Sequence, residues 1–146
     1  MIAPSTNFAK WLAEGQKVED IVLQRIQQKY PHAFIQEGYF PDYDIYIPEV
    51  ELKIEVKSCP RCHEYNSVLI EFEMNDQQTA LCISKADYWI IYDGKKFHCL
   101  TKGDILHCIF VNKLIYWEGY GDGDTVSKKA FKIPPDLLFK YSKEFI

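Results

Sequence analysis

The chain of 146 residues has no apolar run approaching the ~18–20 residues of a membrane-spanning helix. Its start, "MIAPSTNFAKWLAEG", lacks the basic-then-apolar order of a secretion signal. Five cysteines, an odd number without regular spacing, do not make a disulfide framework and fit a reducing compartment. There is no internal repeat and no low-complexity tract. Nor is there a surplus of positive charge: the net charge of −4 excludes a histone-like, uniformly basic nucleic-acid binder. These absences lead us to expect a soluble protein of the cytoplasm, or of the host cytoplasm if viral. The length suits one domain spanning residues 1–146.

What charge there is falls unevenly. Residues 1–93 hold 8 Lys/Arg against 15 Asp/Glu, whereas residues 94–146 hold 9 Lys against 6 acids. The first part is therefore at −7 and the second at +3, so acidic chemistry is sought early in the chain and phosphate contacts late.

Hydrophobic periodicity gives the outline. Ser5 or Thr6 can cap a helix reaching about Lys29, in which Phe8, Trp11, Leu12, Val18, Ile21, Val22 and Ile26 recur at helical spacing until Pro31 stops it. A short strand is expected near 33–36, then a hairpin in "FPDYDIYIPEVELKIEVKSC", a loop in "CPRCHEY" and a strand in "NSVLIEFEM". "NDQQTALCISKA" reads as a turn with a short helix or loop, and "DYWIIYDGKKFHCLT" as two strands joined at Asp93-Gly94. "KGDILHCIFVNKL" is a helix candidate, "YGDGDTVSKKAF" a flexible connection and "IPPDLLFKYSKEFI" a terminal helix from Pro135. This order predicts an α/β (α+β) sandwich with a mixed, mainly antiparallel sheet covered by helices.

The hairpin carries the chemistry. Period-two alternation puts Leu52, Ile54 and Val56 on one strand face and Lys53, Glu55 and Lys57 on the other, while Asp42, Asp44 and Tyr46 oppose Ile45 and Ile47 in the partner strand. A loop over 48–51 sets Asp44 opposite Glu55; a tighter turn would set Asp42 there. Proline cannot take the positive φ of a two-residue hairpin turn, which favours Asp44. Two carboxylates and an amine on one face can bind a divalent cation and position a water, or form a solvated face with an ion pair.

Asp44, ten residues, then Glu55-Val56-Lys57, with Pro41-Asp42 just before, resembles the PD-(D/E)XK nuclease superfamily. The Pro-Asp spelling favours Asp42. The helix "EGQKVEDIVLQRI" is similar to the opening helix of archaeal Holliday junction resolvases, which carries a glutamate ligand; the matching residue is Glu19, with Glu14 as fallback. "NSVLIEFEMNDQQTALCISKADYWIIY" resembles phage-borne members, through Asn66, Glu71, Ser84, Lys85, Ala86 and Asp87. The resemblance covers roughly the first 90 residues.

It implies a restriction-endonuclease-like core and a metal-dependent endodeoxyribonuclease, resolvase-like or phage DNA-processing, acting on double-stranded or branched DNA as a two-fold homodimer. By that match Glu19, Asp44 and Glu55, with Asp42 as alternate, hold Mg²⁺ or Mn²⁺, and Lys57 orients or deprotonates the water. Restriction-type or exonucleolytic cleavage, and a non-catalytic DNA-binding module on the same fold, are the alternatives.

Other features are weighed beside it. Lys95, Lys96, Lys128 and Lys129 are candidates for sequence-blind DNA-backbone contacts. Cys59-Pro-Arg-Cys62-His63 has half the ligands of a structural Zn²⁺ site, with His98, Cys99, His107 and Cys108 as possible partners, but not the spacing of a zinc finger, so a loop with free thiols is expected. Cys82 is expected in the core. Tyr39, Tyr43, Tyr46, Trp89 and Trp117 suit packing better than base stacking. Gly121 to Asp124 reads as a turn rather than a calcium loop.

Overall fold

The computed structural model describes residues 6–38, 40–120 and 125–144, with the side chains of residues 6–8 and 11 outside that description. The Ser5 or Thr6 cap, the side chains of Phe8 and Trp11, Tyr39 and the Gly121 to Asp124 turn thus lie outside that description.

The first helix, α1 (Thr6–Gln27), forms because Val18, Val22 and Ile26 recur every fourth residue and all three are buried. Its amino-terminal half is different: Leu12 is 54% exposed there. The carbonyl of Ile26 takes the amides of both Lys29 and Tyr30, and Pro31 follows. Strand β1 (Phe34–Ile35) leads to the hairpin of β2 (Ile45–Ile47) and β3 (Leu52–Ser58). Ile47 stands opposite Leu52 across a four-residue turn, Pro48 to Glu51, whose last residue takes φ 53°. That is the register the proline favours.

A single helical turn, α2 (Cys62–Tyr65), replaces the expected loop; Asn66 closes it in the left-handed region at φ 51°. Then come β4 (Val68–Met74), β5 (Gln77–Gln78), and a 3₁₀ turn at Ala80–Cys82. On that turn Leu81 takes the buried position and leaves Cys82 exposed, which corrects its expected core placement. β6 (Tyr88–Tyr92) and β7 (Phe97–Leu100) join at Asp93-Gly94. α3 (Lys102–Val111) opens on Thr101, whose hydroxyl takes the Asp104 amide while the Asp104 carboxylate takes the Thr101 amide. The chain ends in β8 (Tyr116–Gly119), β9 (Lys128–Ile133), a one-turn α4 (Pro135–Leu138) and a 3₁₀ turn at Phe139–Tyr141.

The strands form two sheets rather than the one expected, ordered β1-β2-β3-β6-β7 and β5-β4-β9-β8. Pairing is antiparallel everywhere except between β3 and β6, which run parallel. The crossover between those two passes through α2, β4, β5 and the 3₁₀ turn, so part of the second sheet is built inside it. The result is a mixed α+β structure with mainly antiparallel sheets and flanking helices. Ile45, Ile47, Ile54, Ile90 and Cys99 face α1, whereas Trp89, Ile91 and Leu100 face the second sheet, α3 and α4. No helix among the described residues is long and apolar enough to cross a membrane.

Candidate active site

β2 and β3 stay paired only as far as Ile45 opposite Ile54. Beyond that point the strands part, and Asp44 occupies the fork. Its amide bonds the Ile54 carbonyl at 2.9 Å, while its Oδ2 accepts the Val56 amide at 2.7 Å. A β3 donor that a longer β2 would have satisfied with a carbonyl is satisfied by a carboxylate. The same register places Asp44 opposite Glu55, with Lys57 one step further along the same face.

Glu55 is hemmed in by its own sheet. Its register partner on β6 is Trp89, which is 2% exposed. Burial, then the Asp44 carboxylate, pushes the Glu55 pKa up to about 8, with Glu19 adding to the rise; Lys57 and a hydrogen bond with Ser84 oppose it. Burial likewise raises Asp44, against the pull of the Val56 amide. Glu19 arrives from the flank of α1, where burial, then Asp44 and Asp20, raise it to about 7. Asp44 penalises both glutamates and Glu19 penalises Glu55, which places the three within electrostatic reach of one another. A cavity of about 370 Å³ opens beside them, lined by Gln16, Glu19, Gln36, Tyr43 and Asp44 among others.

Other residues singled out in the sequence lie elsewhere. Asp42 turns to Lys85, 3.6 Å away, and its carbonyl takes the Lys85 amide at 2.7 Å. Glu14 lies on a different flank of α1 from Glu19, in a groove with Lys10, Lys17 and Arg25. Lys95 lines that groove, Lys96 follows it in the β6–β7 turn, and Lys128 and Lys129 sit on β9 in the second sheet, Lys129 bonded to Glu73 at 2.9 Å. The four lysines do not form one patch. Tyr43 and Tyr46 pack on each other and on Phe40 and Phe34, and Lys132 sits over Trp117.

Ser84 and Asp87 gain roles that the sequence pattern did not supply. Ser84 is 5% exposed, takes the Ala86 amide at 3.2 Å, faces the Asp42 carbonyl at 3.4 Å and lowers the Glu55 pKa from nearby. Asp87 starts the parallel ladder: its amide meets the Lys53 carbonyl at 2.7 Å and its Oδ2 the Lys53 amide at 2.8 Å.

A cluster missed in the sequence surrounds Asp93, which is 6% exposed. Its Oδ2 lies 2.9 Å from Nε2 of both His63 and His98, and its Oδ1 accepts the amides of Lys95 and Lys96 at 2.8 and 2.6 Å. Burial alone would raise this carboxyl, but those four donors hold it well below the usual carboxylate range. The Phe139 ring stacks on His98 with centroids 3.7 Å apart. Neither His63 nor His98 is near Asp93 in a helical or strand period, so no local pattern announces the group.

His63 and His98 meet at Asp93 with Cys62 beside it, but no three His, Cys, Asp or Glu among the described residues are placed to hold a metal ion. Cys99 and Cys108 belong to cores on opposite faces of the first sheet, His107 packs edge-on against Tyr141, and His98 is engaged by Asp93. Burial, then Cys59 and Asp93, pushes the Cys62 thiol up to about 11, so it stays protonated at neutral pH.

An oxygen-only donor set with raised pKa values suits a hard cation, whose charge would offset the repulsion among Glu19, Asp44 and Glu55. As the side chains stand, no three His, Cys, Asp or Glu among the described residues are close enough to ring one ion. Holding one therefore calls for the Glu19 and Glu55 side chains to turn inward. No family model, curated protein or solved structure matches the chain.

Proposed function

We propose that this chain is a metal-dependent endodeoxyribonuclease built on a restriction-endonuclease-like core, with Glu19, Asp44, Glu55 and Lys57 as its working residues. The observation that carries the reading is the fork between β2 and β3: it sets Asp44 directly opposite Glu55, with Lys57 on the same face and Glu19 reaching in from α1. The chain order supports it as well, since a helix is followed by three antiparallel strands and a crossover to a fourth strand parallel to the third.

Glu19, Asp44 and Glu55 would hold Mg²⁺ or Mn²⁺, which supplies Lewis acidity and a more acidic water when bound. Asp44 is fixed by the Val56 amide, so it sets the position toward which the two glutamates turn. Lys57 orients the water that attacks phosphorus and stabilises the negative charge that grows on the phosphate oxygens as the bond to the leaving oxygen breaks. Resolvase-like action on branched DNA, in a two-fold dimer, belongs to this reading through the family resemblance.

Incubation of the protein with plasmid, single strands and a four-way junction, in Mg²⁺ and in chelator, tests the proposal. Cleavage in Mg²⁺ alone, lost in Lys57→Ala, is the expected result; symmetric cuts confined to the junction would mark a resolvase. No cleavage of any substrate, or equal cleavage by Lys57→Ala, would end the enzyme reading. A second reading, a non-catalytic DNA-binding module, is favoured by the open arrangement of the acids. It predicts DNA binding that neither metal nor Glu55→Gln alters.

A further inference from the structure

On the flank of α1 away from the acids, Lys10, Glu14, Lys17, Ile21 and Arg25 recur at i, i+4, i+7, i+11 and i+15, one stripe along the helix. This stripe forms one wall of a groove of about 580 Å³ whose other wall carries Arg61 and Lys95 and whose floor includes Tyr92 and Phe97. Four of the 8 Lys/Arg of the strongly acidic stretch 1–93 are thus collected in one depression, against Glu14 as the acid in its lining.

Two of these cations are already engaged, Arg61 with Glu64 at 3.0 Å and Arg25 over the Phe97 ring at 4.6 Å. Lys10, Lys17 and Lys95 are exposed and make no ion pair among the described residues. Like charges spaced along a groove repel one another, an arrangement that a polyanion relieves and a single small anion does not.

We infer that this groove holds the phosphodiester backbone of a nucleic-acid strand, without reading its bases. The inference rests on the nuclease reading for the nature of the polyanion. The stripe from Lys10 to Arg25 is about 22 Å long at ~1.5 Å per residue, which matches roughly six nucleotides of a B-form strand at ~3.4 Å each. The ammonium groups supply point charges to phosphate oxygens, and the Tyr92 and Phe97 floor offers apolar surface to the sugars. The groove includes Ser58, the residue after Lys57, whose side chain alternates to the other strand face, so a strand lying in it passes the end of β3 on the side opposite the proposed catalytic lysine.

The test is binding of a fluorescent DNA duplex and of its single strand, in chelator so that nothing is cut, across a salt series. Lys10→Gln/Lys17→Gln/Lys95→Gln should bind at least tenfold more weakly at ~0.1 M salt, and its slope of log affinity against log salt should be shallower by about 2–3. The matched control Lys113→Gln/Lys132→Gln/Lys140→Gln removes the same charge elsewhere and should bind within twofold of wild type. Equal losses in both variants, or no binding by wild type, overturn the groove. Cleavage of the same DNA in Mg²⁺ separates the two claims. Weak binding by the groove variant alone, with no cleavage by wild type, keeps the groove and removes the nuclease; active wild type and an unaffected groove variant do the reverse.

Discussion

Two groups of carboxylates are withdrawn from water in this protein, and they titrate in opposite directions. Asp93 is almost fully buried, yet four donors hold its charged form far below the usual range. Glu55, Asp44 and Glu19 are less buried, receive few donors, face one another, and are raised. Burial alone therefore does not decide the charge state; the number of donors and the sign of the neighbours do. Asp93 is a finished structural tie between the β6–β7 turn, α2 and His98. The fork acids lack such a set of donors, and two of them are raised by a neighbouring carboxylate.

The sharpest break in that comparison is catalytic. Glu55→Gln and Lys57→Ala are expected to reduce Mg²⁺-dependent cleavage by about 10³-fold or more while leaving the circular dichroism spectrum unchanged, a range typical of removing a charge-stabilising group. An unaltered rate in either variant would reduce the fork to a half-solvated strand pair. Next in size is Asp93→Asn. It leaves two histidines and two amides without an anionic acceptor and should cost about 3 kcal/mol in urea denaturation.

The same change at the fork should go the other way. Asparagine at 44 can still accept the Val56 amide but no longer repels Glu55, so Asp44→Asn should be neutral or stabilising by about 1–2 kcal/mol at pH 8.

The pH dependence has a definite sign. Glu19 and Glu55 have folded pKa values raised to about 7 and about 8 above the ordinary 4.5, so the folded state binds more protons than the unfolded one in between. Stability should fall as pH rises from about 5 to 8, by roughly 4 kcal/mol, most of it from Glu55 once screening at half-exposed Glu19 is allowed for. Mg²⁺ should flatten that fall, as should Glu19→Gln/Glu55→Gln. Asp93 acts at the other end: its lowered pKa gives stability that is lost only as pH drops below about 4. Thermal melts across pH 3–9 read both limbs. The smallest effect belongs to Asp42→Asn, which loosens a 3.6 Å contact with a 68% exposed lysine and should cost under about 0.5 kcal/mol. A large loss of cleavage there would move the site toward Asp42.

The fork was legible because it depends on local rules: alternation assigns faces, and proline at position 48 forces the longer turn that puts Asp44 opposite Glu55. The β6–β7 turn was legible too, since Gly94 adopts φ 99° and a Cβ there would stand 2.5 Å from the Pro60 carbonyl oxygen. β9 was hidden by its lysines. It runs between β4 and β8 with lysines on both faces, Lys129 meeting Glu73 on one and Lys132 sitting over Trp117 on the other. The terminal helix was overextended because its repeat of apolar residues continues past Leu138, where Phe139 leaves the helix to stack on His98. The Asp93 group and the approach of Ser84 to Glu55 join segments 5 to 30 residues apart, which no window along the chain displays.

Calorimetric titration of Mn²⁺ into the protein at pH 7.5, in buffers of different ionisation heat, addresses the fork most directly. One saturable site is expected, with release of about one proton per ion as Glu55 gives up the proton it holds in the free protein, and loss of that site in Asp44→Asn and Glu55→Gln. No binding, or binding with equal affinity and no proton release in those two variants, would contradict it.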